Sequence, residues 1–130
     1  NKQAGTNFER KFCEQLARDK FWAHFMGGSK NGQPADIIAV RNEHAYLIDA
    51  KDCQNDRFVL SRIENNQDMA MRYWEMCGNN QGLFALNTSK GVYMLKYGVV
   101  QVLEIAGIKS LNMQAIEEYC TPYEEWRLAR

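Results

Sequence analysis

Apolar positions along the chain change period several times, and each change marks an element. Phe8, Phe12, Leu16 and Ala17 recur at helical spacing. Thr6-Asn7-Phe8-Glu9 in front of them matches the S/T-x-x-E capping box, which predicts a first helix starting at Thr6. Phe21 to Met26 reads as a strand, rich in aromatics and ended by Gly27-Gly28, with a polar loop from Gly27 to Gln33 after it. Ala35 to Val40 and Ala45 to Lys51 read as two further strands, joined by a short turn at Arg41 to His44 into an antiparallel hairpin. Ser61-Arg62-Ile63-Glu64 is a second capping box, and Gly78 sits where a C′ glycine stops a helix. Between them Ile63, Ala70, Tyr73, Trp74 and Cys77 form a helical stripe.

The last third is more broken. Gly82 to Asn87 and Val92 to Tyr97 read as strands joined by Thr88-Ser89-Lys90-Gly91, and Val99 to Ile105 as one more. Ser110 or Asn112 caps a short helix through Cys120, which Pro122 ends. Helix, three strands, helix, then further strands predicts an α+β fold, a central sheet with helices packed on it.

A chain of 130 residues without repeats, linkers or low-complexity segments fits a single domain, residues 1–130. No apolar run approaches the roughly 18 residues that cross a bilayer, and the N-terminal stretch does not have the pattern of a secretory signal. The expectation is a cytoplasmic protein without membrane contact. Cys13, Cys53, Cys77 and Cys120 lack metal-ligand spacing and read as reduced thiols serving as small hydrophobes. Formal net charge is zero, so charge alone argues mildly against a broad nucleic-acid face. Lys2, Arg10, Lys11, Arg18, Lys20 and Lys30 weight any such face toward the N-terminal third.

Three residues change the picture. Side chains alternate along a strand, so Asp49 and Lys51 point the same way with Ala50 between them on the other face. If the two strands of the hairpin pair around Arg41 to His44, Asp36 faces Asp49 across the sheet. Two close carboxylates repel unless a cation sits between them. Oxygen ligands favour a hard ion such as Mg²⁺, for which Mn²⁺ substitutes. A metal of this kind beside a lysine suits phosphodiester hydrolysis: the metal acidifies bound water, and the lysine orients that water or offsets phosphate charge.

Pro34-Ala35-Asp36 followed by Asp49-Ala50-Lys51 resembles the PD-(D/E)xK nuclease pattern, with one extra residue between proline and acid. The sequence is similar in particular to Holliday junction resolvases of the archaeal and RecU types. Gly5-x-x-Phe8-Glu9, Phe21-Trp22-Ala23, Gly28-Ser29, Asp36-Ile37-Ile38-Ala39, Tyr46 to Lys51 and Asn66-Gln67 carry that likeness in order. The resemblance implies a restriction-endonuclease-like core with a central mixed sheet. It implies metal held by Asp36, Asp49, the Ala50 carbonyl and Glu9, with Lys51 catalytic and Ser29 and Gln67 assisting. It further implies a homodimer that nicks branched DNA such as four-way junctions symmetrically. Asp49 stands where many resolvases carry glutamate, and the chain has no room for the stalk of RecU-type enzymes.

Plainer roles stand beside these. Glu9 and Glu64 are each the N3 residue of a capping box. Asp49 and Lys51 also suit a same-face ion pair, Asp36 a turn after proline, Gln67 a helix surface and Ser29 a glycine-rich loop. Arg10, Lys11 and Lys30 are candidates for DNA phosphate contacts or simply surface charges. A non-cleaving module for branched DNA, and a nuclease of the same fold with another DNA substrate, are the alternative functions.

Overall fold

The computed structural model describes residues 2–27 and 35–129, with side chains from residue 7 onward. Gly28, Ser29, Lys30 and Pro34 therefore lie outside the described residues. Among the described residues five helices and eight strands follow one another as α1 (Lys2–Arg18), β1 (Trp22–Phe25), β2 (Ile37–Arg41), β3 (His44–Asp52), β4 (Phe58–Val59), α2 (Asn65–Met76), β5 (Leu83–Thr88), β6 (Gly91–Lys96), α3 (Tyr97–Ile105), β7 (Ser110–Leu111), α4 (Met113–Tyr119), β8 (Thr121–Pro122) and α5 (Tyr123–Leu128). Six strands make one sheet in the order β1-β2-β3-β5-β6-β8, and β4 pairs with β7 apart from it. β3 and β5 run parallel and the other described pairs antiparallel, so the sheet is mixed.

The hairpin is as the apolar pattern predicts. β2 and β3 pair antiparallel from Arg41↔His44 to Ile37↔Ile48, around a two-residue turn. Asn42 and Glu43 have φ of 52° and 67°, the left-handed conformation that a type I′ hairpin turn demands of both central residues. β3 then divides its side chains between two cores. Tyr46, Ile48 and Ala50 pack with Phe12, Leu16, Tyr123 and Trp126, under α1 and α5. Leu47 packs with Phe84, Met71, Val100, Leu103 and Ile116, under α2, α3 and α4. Period two thus sends Asp49 and Lys51 to the side on which α2 lies.

Several boundaries differ from expectation. α1 begins at Lys2, so Thr6 lies inside the helix rather than at its cap; Lys2, Gln3 and Ala4 are good helix formers that carry the helix past the motif. Ala17 is exposed, and the half-buried Cys13 completes the apolar side instead. Ser61 belongs to a short 3₁₀ turn, Leu60–Arg62, and the N-cap of α2 is Glu64. Met71 and Gln67 are the buried residues of α2, whereas Tyr73 and Cys77 face solvent. Gly78 does end this helix, with φ of 89°.

Val99 to Ile105 lies in α3, not in a strand. Its valines and isoleucine favour β structure locally, but Val100 and Leu103, three apart, bury a helical stripe against the α2 side of the core. Asn112 is the cap of α4, its side chain accepting from the Ala115 N–H at 2.9 Å. α4 ends at Tyr119 and Pro122 opens α5 as its N-cap, an additional helix that buries Tyr123 and Trp126.

Candidate active site

The end of β3 meets the start of β2 and the first turn of α2 in one place. Asp36 stands one residue before the Ile37↔Ile48 rung and Asp49 one residue after it. The Asp36 N–H donates to the Ile48 carbonyl at 3.1 Å. Its carboxylate Oδ2 accepts from the Ala50 N–H at 2.8 Å, doing the work of the next backbone carbonyl where β2 has run out. N–H and C=O of one strand residue leave on the same side. The Ala50 carbonyl therefore points toward β2 as well, beyond its first residue.

Asp36 and Asp49 are 6% and 2% exposed, which decides how they can be charged. Gln67 Nε2 donates to Asp49 Oδ1 at 3.3 Å. Lys51 Nζ lies 3.0 Å from Asp49 Oδ2. That contact lacks the direction of a hydrogen bond, so Oδ2 is a buried oxygen with an ionic neighbour but no hydrogen-bond donor among the described residues. Burial first, and the charge of Asp36 second, push the Asp49 carboxyl well above the carboxylate range, against the pull of Lys51. Glu9, on α1, is pushed up to about 7 by the same two causes, opposed by Lys51 and Arg10. It feels the charges of Asp36 and Lys51 without touching either through a described hydrogen bond or ion pair.

Lys51 is 11% exposed, and its ammonium is held from three directions. Besides Asp49, it donates to Gln67 Oε1 at 3.1 Å and to the Arg62 carbonyl at 3.2 Å. Gln67 Oε1 also accepts from the Glu64 N–H at 3.1 Å, the returning half of a capping box. One amide thus joins the start of α2 to both Asp49 and Lys51. The E-x-x-Q spacing of Glu64 and Gln67 announces this cap, but Ser61 and Glu64 match the commoner S/T-x-x-E form and mask it.

The structure therefore brings together Asp36, Asp49, Lys51 and Gln67, while Glu9 joins them only through the reach of its charge. Arg10 lies close enough to influence Glu9, with its guanidinium 4.8 Å from the centre of the Phe25 ring. Lys11 is exposed on α1. Ser29 and Lys30 fall outside the described residues. A cavity of about 390 Å³ lined in part by His44, Tyr46, Lys96 and Trp126 opens at the other end of β3 and shares none of these groups.

Two buried carboxyls of like charge, a buried oxygen without a donor and a carbonyl beyond the ladder fit a hard divalent cation. No three histidine, cysteine or carboxylate side chains among the described residues converge as a ready-made cage. Magnesium, which keeps several waters and takes one or two carboxylates, does not need one. Such a site can polarise a phosphate and its attacking water beside a fixed ammonium.

The mixed sheet with flanking helices, ending in the acid-acid-lysine group, has a counterpart among solved structures. A solved Holliday junction resolvase, Hjc from the archaeal hyperthermophile Archaeoglobus fulgidus, shares the fold with a TM-score of 0.71. The two are 20% identical, and the likeness covers 95% of this chain and 99% of that one. No protein-family model matches the sequence, and no curated protein matches it significantly. Among the described residues no helix is long and apolar enough to cross a membrane.

Proposed function

We propose that this chain is a magnesium-dependent, structure-selective DNA endonuclease, a Holliday junction resolvase that works as a homodimer on branched DNA. The observation that carries the reading is the pair of buried carboxylates, Asp36 and Asp49, with Lys51 at 3.0 Å from the second. The shared fold with a resolvase supports the choice of substrate.

Asp36, Asp49 and the Ala50 carbonyl would hold Mg²⁺, or Mn²⁺ in its place, with Glu9 at the margin. Such an ion supplies an acidified water and a positive charge against the phosphate. Lys51 offers its ammonium to the scissile phosphate or the attacking water. Gln67 keeps Asp49 and Lys51 in mutual register through its two amide atoms. Glu9, with a carboxyl that titrates near neutrality, can accept a proton at its carboxylate oxygens as water is deprotonated.

The test is cleavage of a four-way junction, a linear duplex and a single strand, each with and without Mg²⁺. Asp36→Asn and Lys51→Ala are each expected to lose cleavage by about 10³-fold or more while still binding the junction. Full activity in either purified variant would sink the assignment. Junction binding without cleavage by the parent chain would favour a binding module instead. Light scattering reads the dimer directly.

A further inference from the structure

We propose that Arg62 is a positioning residue for Lys51, acting through its own backbone carbonyl. The 3₁₀ turn Leu60–Arg62 lies between β4 and α2, and the Arg62 carbonyl is one of three oxygens around the Lys51 ammonium, at 3.2 Å. Asp49 and Gln67 supply the other two, from the strand and the helix. The carbonyl is the oxygen whose place depends on a short exposed turn.

That turn is anchored at both ends. Leu60 is buried and its N–H donates to the Lys109 carbonyl at 2.9 Å, while the Ile63 N–H returns to Leu60 at 3.0 Å. The second anchor is the Arg62 side chain. Its Nη1 donates to the Asp52 carbonyl at 2.9 Å, and its guanidinium lies 5.8 Å from the centre of the Phe58 ring. Asp52 follows Lys51 directly on β3. The arginine thus grips the strand at the residue after the lysine with its side chain and the lysine itself with its main chain. This closes a ring of contacts through Lys51, Asp52 and Arg62 that fixes where the ammonium stands. Arginine suits the task because a long planar group can both reach back to a carbonyl and lie over an aromatic ring.

The proposal rests on Lys51 serving cleavage, so it is tested by two measurements, one of which needs no activity. In Arg62→Ala the Lys51 amine, freed on one side, is expected to react several-fold faster with an amine-labelling reagent, read by mass spectrometry in metal-free protein. In the cleavage assay the same variant is expected to lose about 10-fold in kcat with KM nearly unchanged, because the ammonium is displaced rather than removed. Arg62→Lys, which keeps a donor for the Asp52 carbonyl, is expected to recover part of both effects. Arg62→Ala that labels and cleaves like the parent overturns the proposal. So does a loss carried by KM alone, which would make Arg62 a DNA contact. Faster labelling in a chain that cleaves nothing would uphold the positioning and overturn the nuclease reading instead.

Discussion

The two ends of β3 hold two charged clusters, built in opposite ways. At the turn end, Arg41 donates to the main-chain carbonyls of Asp19, at 3.0 Å, and Arg127, and lies 4.0 Å from the centre of the Phe21 ring. Asp19 accepts from the Tyr123 hydroxyl at 2.7 Å and has Arg127 at 3.6 Å. Burial alone would raise the Asp19 carboxyl, but hydrogen bonds from Gln15 and Tyr123 and the charges of Arg127 and Arg18 hold it below the usual range. Each charge there meets its opposite or a dipole aimed at it. At the far end two carboxyls are buried against each other, with one lysine to serve them, and both Asp49 and Glu9 are raised. One cluster fastens α1 and α5 to the hairpin. The other sets like charges against each other, as the clusters of functional sites commonly do.

Substitutions should separate the two. Arg41→Ala at the fastening end leaves two carbonyls without their donor and is expected to cost about 2–3 kcal/mol in chemical denaturation. Junction binding by the folded fraction should be unchanged. Asp36→Asn at the other end should do the reverse to stability. It keeps an oxygen for the Ala50 N–H, removes one of two like charges and is expected to stabilise the metal-free protein by on the order of 1 kcal/mol. A lower melting temperature for this variant without metal would count against that repulsion.

The third difference is in pH. Carboxyls raised in the folded state bind protons more tightly there than in the unfolded chain, where they titrate near about 4. The stability that Glu9 and Asp49 contribute is therefore complete below that value and is lost as pH rises through about 7, where Glu9 titrates. Asp19, being lowered, has the opposite sign and loses its contribution only in acid, below about pH 4. Metal-free protein should thus melt at falling temperature between about pH 5 and 8, and Mg²⁺ should flatten the curve by taking the protons' place. A flat metal-free curve would mean that the carboxyls are not coupled to folding.

What could be read in advance follows from where the information lies. Asp36, Asp49 and Lys51 were legible because strand alternation and a short turn fix which side chains share a face. Gln67 needed the resemblance, since nothing about a polar residue near a helix start says that its amide reaches two strand residues. Arg62 was illegible as a partner of Lys51, because a backbone carbonyl leaves no mark in the sequence. α3 is hidden from the apolar pattern because Val99, Val100, Val102 and Ile105 favour strand locally, while the core under α2 asks for a helix. Both predicted capping boxes were real matches in the wrong place. The true start of α2 uses Glu64, and α1 runs on past Thr6.

The two-residue turn at Asn42 and Glu43 has a consequence for how such a chain can change length. Asp36 and Asp49 are neighbours only because equal numbers of residues separate each from that turn. A single residue gained or lost in either arm turns one carboxylate to the opposite face of the sheet, unless the turn absorbs it as a bulge. Two residues added as one further rung, one to each arm, leave the pair in place and only lengthen the ribbon. Bulges aside, the chain between these acids can change length only in such even steps.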